Sequence, residues 1–151
     1  MDFALALTAK FPELHARVLA TPAELEAASS LFPDLGAHER ITLEPGSLMG
    51  APAEPVDATL ITGGLGRYPD ADAAYVIGQA ASTSGSVLVF GKVLNEELAH
   101  DHDYEDDLLD FTLYGGGSRT DAEHRDLFAR AGVADVEQST VGWGFTLYRL
   151  G

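Results

Sequence analysis

The chain contains no cysteine, so it has no disulfide framework, no thiolate zinc site and no cysteine nucleophile. Basic residues are also scarce: nine Lys and Arg stand against 24 Asp and Glu, which gives a formal net charge of −15. A surface with that charge repels phosphate backbones and anionic membranes, so a general nucleic-acid-binding or membrane-surface function is excluded. No apolar run approaches the roughly 20 residues that a membrane-spanning helix needs.

The rest of the composition is typical of a globular protein. Apolar residues make up 46% and charged residues 22% of 151 residues, which argues against disorder and predicts one domain over 1–151. The opening residues lack the charged start and cleavage site of a secretion signal, and they predict a helix over 2–10 instead. We therefore expect a soluble, cytoplasmic protein, and the Ala- and Gly-rich, Lys-poor composition is typical of a high-GC bacterial source.

Hydrophobic patterns alternate between helical and extended segments along the chain. Strands are predicted at Ala16–Ala20, Ile41–Glu44, Asp57–Thr62, Ser86–Phe90, about 134–140 and about 144–150. Helices are predicted at 2–10, from Pro22 to about Leu31, at 70–83, at about 104–114 and from about Asp121 to Ala131. This order predicts an α/β layer with a mainly parallel sheet and an antiparallel hairpin at the end.

Helix and turn signals support these boundaries. Thr21 and Thr120 each precede a glutamate by three residues, which predicts a capping box at the start of two helices. Gly115–Gly117 are predicted to end the helix before them, and Gly142-Trp143-Gly144 are predicted to turn the final hairpin.

Four stretches resemble the C-terminal catalytic domain of small-molecule O-methyltransferases, the S-adenosylmethionine (SAM) enzymes that often modify plant phenolics and bacterial polyketides. RITLEPGSL (40–48) is similar to the third strand and following turn of that family, and VDATLITGGLGRYPDADA (56–73) to its fourth strand and catalytic loop. SVLVFGKVL (86–94) is similar to the fifth strand, and DLLDFTLYGGGSRTDAEHRDLFARAG (107–132) to the Gly-Gly-x-Glu-Arg-Thr segment and its helix. The resemblance implies a Rossmann-like class I methyltransferase fold and a role in secondary-metabolite biosynthesis.

The chain departs from that family where SAM is held. The glycine-rich SAM turn of the family precedes the region that begins at Asp2, so the resemblance implies a shortened fold without the first strand of the sheet. Ala20 stands near the position of the acid that holds the ribose hydroxyls, and Ser47 replaces the Asp expected near the adenine. We therefore expect no cofactor, and SAM binding in particular is not expected.

The catalytic positions of the family are altered as well. Gly66 stands where the family has its general base His, and Gly91 where a Glu often orients that base. Ser118 replaces the Glu of the Gly-Gly-x-Glu-Arg-Thr segment. A general base needs a titratable side chain within reach of the substrate, so methyl transfer by this chain alone is not expected.

Other residues near the same loops are candidates for a different chemistry. Asp110 is predicted to fall on the apolar face of a helix that lines the substrate pocket in the family, where a desolvated carboxylate suits acid–base work; the alternative is a solvent-facing or capping Asp. Tyr114 and Tyr68 are predicted beside it as further catalytic residues. The predicted substrate-binding side chains are Arg67, Leu109, Leu113 and Trp143.

Four further features have two interpretations each. Gly63–Gly66 either cradle a phosphate or only allow a tight turn. His100 and His102, among several acids, are a weak candidate for a Zn²⁺ or Fe²⁺ site, or else part of an acidic run before a helix. His124 either borders the pocket or is packed in the core, and Arg119 either binds an anionic or carbonyl group or braces the glycine turn.

The missing strand has two possible consequences. Either Ala16–Ala20 and Asp57–Thr62 pair directly, or unpaired strand edges are filled by another chain, as a homodimer or with a different partner. Three functions follow from the resemblance and its departures. The first is a SAM-independent step such as cyclisation or isomerisation of an aromatic or polyketide-like small molecule. The others are a non-catalytic binding subunit and an O-methyltransferase completed by a partner chain.

Overall fold

The computed structural model describes residues 2–32, 38–50, 54–95, 97 and 100–151. Contacts within the chain form two compact units, Met1–Gly50 and Ala51–Gly151. A single domain over 1–151 stays a prediction. None of the described helices combines the length and the apolar character needed to cross a bilayer.

The first unit is a helix followed by a β-α-β segment. It contains α1 (Asp2–Lys10), β1 (Ala16–Ala20), α2 (Pro22–Leu31) and β2 (Ile41–Pro45). The two strands pair in parallel, with Ala16 opposite Ile41 and Ala20 opposite Pro45. Ala28 and Ile41 are the buried centre of this unit, and they contact Ala4, Leu5, Ala16, Val18, Phe32 and Leu43.

The predicted capping box at the start of α2 is confirmed. The Thr21 hydroxyl accepts a hydrogen bond from the backbone N–H of Glu24 (3.3 Å), and the Glu24 carboxylate accepts one from the backbone N–H of Thr21 (2.9 Å). Pro22 occupies the first turn, where no backbone donor is needed. These contacts are local in sequence, which is why the sequence predicts them.

The second unit carries a four-stranded sheet. Its elements are β3 (Thr59–Thr62), a 3₁₀ turn (Leu65–Arg67), α3 (Asp70–Thr83), β4 (Val87–Lys92), α4 (Asp101–Tyr114), α5 (Asp121–Arg130), β5 (Val136–Gly142) and β6 (Phe145–Leu150). The strand order is β3-β4-β6-β5; β3 and β4 are parallel, and β6 is antiparallel to both of its neighbours. The predicted α/β class with a terminal antiparallel hairpin is therefore confirmed.

In the described part of the chain, β1 and β2 form one sheet and β3 belongs to the other; how the position of the missing strand is filled stays a prediction. Two details differ from the sequence predictions. Helix α4 begins at Asp101 rather than near 104, since the Asp103 carboxylate accepts the backbone N–H of His100 (2.9 Å) and caps the earlier turn. The 3₁₀ turn at Leu65–Arg67 is not signalled by the glycine-rich sequence around it.

The core of the second unit lies where α3 and α5 pack together and against the sheet. Its buried side chains are apolar and come from both helices and from three strands: Ile61, Ala73, Val76, Ile77, Val87, Val89, Leu127, Phe128, Tyr148 and Leu150. The two helices cover one face of the sheet. They also fix the ends of two loops, the one that follows β3 and the one that precedes α5.

His124 belongs to this core. Its side chain is buried, and its ring stacks on Tyr148 with centroids 5.3 Å apart. Nδ1 lies 3.0 Å from the carbonyl oxygen of Thr120, which can only accept, so Nδ1 carries the proton and donates. Burial lowers the pKa of His124, which favours the neutral ring. The packed interpretation of His124 is confirmed.

A buried tyrosine extends the same cluster to the start of α5. The Tyr148 hydroxyl donates to the Asp121 carboxylate (2.8 Å), and burial together with that bond raises the pKa of Tyr148. Burial alone would raise the pKa of Asp121, but hydrogen bonds from Arg125 and Tyr148 outweigh it and hold that pKa below its usual value.

The tip of the final hairpin presents the single tryptophan of the chain. Trp143 and Gly144 both have positive φ, 51° and 77°, as the two central residues of a type I′ turn require. Trp143 is 97% exposed, so its ring makes almost no contact with the fold. The predicted turn at Gly142-Trp143-Gly144 is confirmed.

Replacing His124 with Gln should remove part of the acid sensitivity of folding. The folded protein keeps the imidazole neutral because burial lowers its pKa, whereas the unfolded chain takes up a proton below the ordinary value of 6.5. The stability linked to His124 is complete above that value and is lost as the pH falls toward the lowered folded-state pKa, at no more than about 1.4 kcal/mol per pH unit. Urea unfolding monitored by circular dichroism at about pH 7.5 and about pH 5 measures this loss of unfolding free energy.

The exposed His15 supplies the matched control, because H15Q leaves the buried ring in place. Asp121 does not contribute in this range: its lowered pKa stabilises the fold above 3.8, and that contribution is lost only below it. Equal losses of unfolding free energy in wild type and H124Q would contradict the assignment.

Candidate functional site

The carboxyl ends of β3 and β4 lead into the loops that form the candidate site. In parallel sheets these ends are the usual place for ligands. The backbone N–H of Gly63 donates to the carbonyl of Phe90 (2.9 Å), and Gly63 has a φ of +61°, which only glycine adopts easily. The chain then enters the 3₁₀ turn, and α3 begins only at Asp70. Gly63–Gly66 therefore form a tight turn and do not lie at the N-terminus of α3, as a phosphate cradle there would require.

Arg119 braces that turn. Its guanidinium is buried and donates to the carbonyl oxygens of Leu65 (2.9 Å) and Tyr68 (2.7 Å), which flank the 3₁₀ turn. It also donates twice to the carboxylate of Asp70, at 3.0 Å each. The backbone carbonyl of Arg119 accepts the N–H of Leu94 after β4. Of the two predicted roles for Arg119, the geometry shows the bracing one.

The triple glycine after α4 contacts the same turn directly. Gly115 ends α4 in the left-handed conformation (φ 73°). A Cβ on Gly116 would lie 2.1 Å from the carbonyl oxygen of Gly66, so only glycine fits there. The backbone N–H of Gly117 donates to that same oxygen (2.7 Å). Gly66 is thus held against the end of α4.

Helix α4 faces its own unit with carboxylates. Asp103, Asp107 and Asp110 are spaced i, i+4, i+7 and are the half-buried described side chains of this helix; we call them the acidic face. Asp103 pairs with Lys92, and Asp107 accepts the backbone N–H of Ser118. The larger apolar side chains of α4 are exposed: Tyr104, Leu108, Leu109, Phe111, Leu113 and Tyr114.

Asp110 differs from the other two members of the acidic face. It is half-buried, and among the described residues no hydrogen bond or ion pair reaches its carboxylate. A Cβ built on Gly66 would lie 4.0 Å from Asp110 Oδ2, so this carboxylate occupies the space beside the missing side chain of residue 66. The sequence placed Asp110 on an apolar face; that placement is wrong, because the half-buried side of α4 carries Asp103 and Asp107 and the leucines of the helix are exposed.

Tyr114 and Arg67 meet where the end of α4 contacts the 3₁₀ turn. Tyr114 is four residues after Asp110, on the same side of α4. The Arg67 guanidinium carbon lies 5.4 Å from the centroid of the Tyr114 ring, a cation–π distance. Tyr68 is half-buried, and its backbone is fixed by Leu65 and Arg119. The predicted residues Asp110, Tyr114, Tyr68 and Arg67 are therefore close to one turn.

The other predicted substrate contacts lie elsewhere. Leu109 and Leu113 are 56% and 61% exposed, on the outer side of α4. Trp143 stands at the hairpin tip, at the same end of the sheet but almost wholly in solvent. Their substrate-binding roles stay predictions.

A cavity of about 340 Å³ opens beside the triple glycine, within the range of small-molecule sites. It is lined by Pro69, Asp70, Phe111, Gly115, Gly116, Gly117, Ser118, Arg119 and Glu123. Of the residues predicted for the site, Asp110, Tyr114, Tyr68 and Arg67 do not line this cavity, and Phe111, which does, was not predicted. The signal that would have found Phe111 is helical spacing, since it lies four residues after Asp107 and three before Tyr114.

The weak metal prediction rests on two histidines at the start of α4. The His100 backbone is bound by Asp103, and the side chain of His102 lies outside the described residues. Within the part of the chain that the structure describes, no group of three His, Asp or Glu side chains converges to hold a metal ion. A metal site here stays a prediction.

Substituting Gly116 with Ala should destabilise the site more than a matched change at Gly91. The new methyl group at position 116 would collide with the Gly66 carbonyl, whereas a Cβ at Gly91 meets nothing within 4 Å. We expect G116A to lose about 1–3 kcal/mol of unfolding free energy and G91A to change it by less than about 0.5 kcal/mol. Urea unfolding of both variants measures the difference, and equal stabilities would refute the close approach.

No model of a known protein family matches this chain. Comparison with solved structures, however, finds the same fold. TnmH matches 97% of this chain with a TM-score of 0.86 and 24% identity, over 45% of its own length. An O-methyltransferase family 2 protein from Planctomyces limnophilus DSM 3776, solved with apigenin, matches 98% of this chain (TM-score 0.82, 22% identity, 45% of its length).

A protein described as a pericyclic reaction enzyme also matches. It covers 97% of this chain with a TM-score of 0.79 and 17% identity, over 39% of its own length. The chain thus spans less than half the length of these structures. Their agreement assigns it the α/β fold of SAM-dependent methyltransferases.

Proposed function

We propose that this chain carries the substrate-handling part of a small-molecule biosynthetic enzyme and supports a SAM-independent proton transfer, such as a step in cyclisation or isomerisation. Asp110 is the proton acceptor. The observation that carries the proposal is the half-buried carboxylate of Asp110, which no described residue binds and which stands beside the empty side-chain position of Gly66.

The arrangement suits a general base better than a structural acid. A structural carboxylate is bound by donors, as Asp103 is by Lys92 and Asp107 by the Ser118 N–H. A base must instead keep its lone pairs for the proton it removes, at a fixed position within hydrogen-bond reach of the substrate. The braced turn and the glycines fix the surroundings of Asp110, and Tyr114 and Tyr68 supply aromatic surface for a planar substrate.

The fold neighbours support this choice of chemistry. One of them is an enzyme of a pericyclic reaction, so the fold accommodates reactions other than methyl transfer. Another was solved with apigenin, a planar phenolic compound, which makes aromatic and polyketide-like compounds the natural substrate class to test.

The strand ends of the first unit argue against SAM. A carboxylate after such a strand commonly holds the ribose hydroxyls of a nucleotide cofactor. Here β1 ends at Ala20, and the carboxylate of nearby Glu24 is bound to Thr21 in the capping box. After β2 the chain continues with Gly46 and Ser47, which carry no charge. The described residues at these strand ends thus supply no acid for the ribose hydroxyls beyond the capping Glu24, which supports a SAM-independent step, and no step of the proposed reaction passes through SAM.

A proton-transfer probe tests the role of Asp110. In the ring opening of 5-nitrobenzisoxazole a base removes one proton, the N–O bond breaks and its electron pair goes to the product oxygen. We expect the wild-type protein to accelerate this reaction over buffer. The acceleration by D110N should be about a hundredfold smaller, because its amide cannot accept the proton. Absorbance of the product phenolate measures the rate.

Glu105 gives the matched control, since it is an exposed acid on the opposite side of the same helix and E105Q should keep the rate. Adding SAM or S-adenosylhomocysteine should change neither the rate nor the heat in a calorimetric titration. Equal rates for D110N and E105Q would remove Asp110 from the reaction. Micromolar binding of SAM would favour methyl transfer instead.

A second candidate function, a subunit that associates through α4, is supported by the exposed apolar side chains of that helix. Tyr104, Leu108 and Phe111 form an i, i+4, i+7 stripe with 49%, 66% and 62% of each residue exposed. Monomeric proteins rarely expose a contiguous apolar patch of this kind, and two copies of such a stripe are self-complementary about a two-fold axis. The occupant on this view is a second copy of the chain.

Sedimentation equilibrium distinguishes this candidate. If α4 pairs two copies, the wild type sediments as a dimer and L108E as a monomer, because the new carboxylate would be buried unpaired. Salt should strengthen the dimer, since it screens the repulsion between two chains that each carry a charge of −15. E105Q serves again as the control, and a wild-type monomer at every concentration would eliminate the candidate.

A further inference from the structure

Arg67 is unusual among the basic side chains of the second unit. That unit has six Lys and Arg in a chain with 24 acidic residues. Five of the six pair with a carboxylate: Lys92 with Asp103, Arg119 with Asp70, Arg125 with Asp121, Arg130 with Asp126, and Arg149 with Glu137. Arg67 pairs with none in the described part of the chain, although Asp70 follows it by three residues.

The backbone of Arg67 is nevertheless fixed, although its side chain is exposed. Arg67 is the last residue of the 3₁₀ turn, and Arg119 holds the carbonyls of the first residue of that turn and of the residue after it. The Arg67 guanidinium lies against the Tyr114 ring. No described acceptor bonds to the five N–H donors of its side chain. A cation that is held in place while its donors stay available is arranged for a ligand with a negative oxygen.

Asp110 lies on the other side of the same turn. Its Oδ2 approaches Gly66, the residue before Arg67, and Tyr114 connects the two groups, since it is on the same face of α4 as Asp110 and under the guanidinium of Arg67. The two charges do not form an ion pair within 4.0 Å. A carboxylate and a cation, neither with a described polar partner, thus both lie at the contact between the 3₁₀ turn and the end of α4.

We propose that Arg67 stabilises the oxyanion that forms on the substrate when Asp110 removes a proton. The substrate class is then a planar compound with an acidic C–H next to a carbonyl group, or a phenol. For the carbonyl compound, the C–H bond breaks, the proton goes to the Asp110 carboxylate, and the electron pair moves onto the carbonyl oxygen to give an enolate beside Arg67. Return of the proton to a different substrate atom completes an isomerisation without an oxidant or a reductant.

This inference rests on the proposed function, so its test uses a readout that does not need Asp110. We compare the binding of para-nitrophenolate and of nitrobenzene, which has the same ring without the negative oxygen, by calorimetric titration. The wild type should bind the phenolate more tightly than nitrobenzene. In R67Q the ratio of the two affinities should be about tenfold smaller. R67K should recover part of the preference, because lysine keeps the positive charge. If Arg67 had only a structural role against Tyr114, the preference would not depend on the charge at this position.

Arg149 is the matched control, since it is exposed, paired with Glu137 and far along β6 from the turn. R149Q should keep the phenolate preference. In the ring-opening assay R67Q should also be slower by about tenfold, because the product is a phenolate. A wild type without phenolate preference, or an R67Q variant that keeps it, overturns the inference.

The two proposals fail in different ways. If D110N abolishes ring opening while R67Q retains the phenolate preference, Asp110 remains the base and Arg67 is not the oxyanion group. If R67Q loses the preference while D110N keeps the wild-type rate, the anion site stands and the proposed proton transfer to Asp110 is wrong.

Discussion

The candidate site depends on the guanidinium of Arg119. A buried backbone carbonyl left unbonded would cost stability. Arg119 binds the carbonyl oxygens of Leu65 and Tyr68 at the 3₁₀ turn and also the carboxylate of Asp70 at the start of α3. Because a guanidinium does not lose its proton in proteins, this connection holds over the whole pH range in which the fold survives. The turn that carries Gly66 and Arg67 is rigid for that reason.

Helix α4 is reversed relative to an ordinary surface helix. Surface helices normally bury an apolar stripe and expose their charges. In α4 the carboxylates of the acidic face contact the unit and the leucines face outward, while Phe111 lines the cavity and Tyr114 lies under Arg67. The inner carboxylates are tolerable because two of them are bound and the third is only half-buried. The same helix therefore offers chemistry on one side and an apolar surface on the other, and the two candidate functions use opposite sides of it.

The sequence predicted local features well and long-range ones poorly. Both capping boxes, at Thr21 and Thr120, are present as expected, because a Thr and a Glu three residues apart contain all the necessary partners. The orientation of α4 was predicted incorrectly. It depends on Lys92 and on the Ser118 N–H, which are distant in sequence from the carboxylates that they bind. The 3₁₀ turn likewise depends on Arg119, more than fifty residues away along the chain.

The position of Trp143 has a spectroscopic consequence. It is the only tryptophan in the chain, and its indole is almost completely hydrated at the hairpin tip. Its emission in the folded protein should already resemble that of an unfolded chain, so intrinsic fluorescence is nearly blind to denaturation here. The same exposure makes the indole a sensitive reporter of association: any molecule that covers the hairpin tip would exclude water from the ring and shift its emission to the blue.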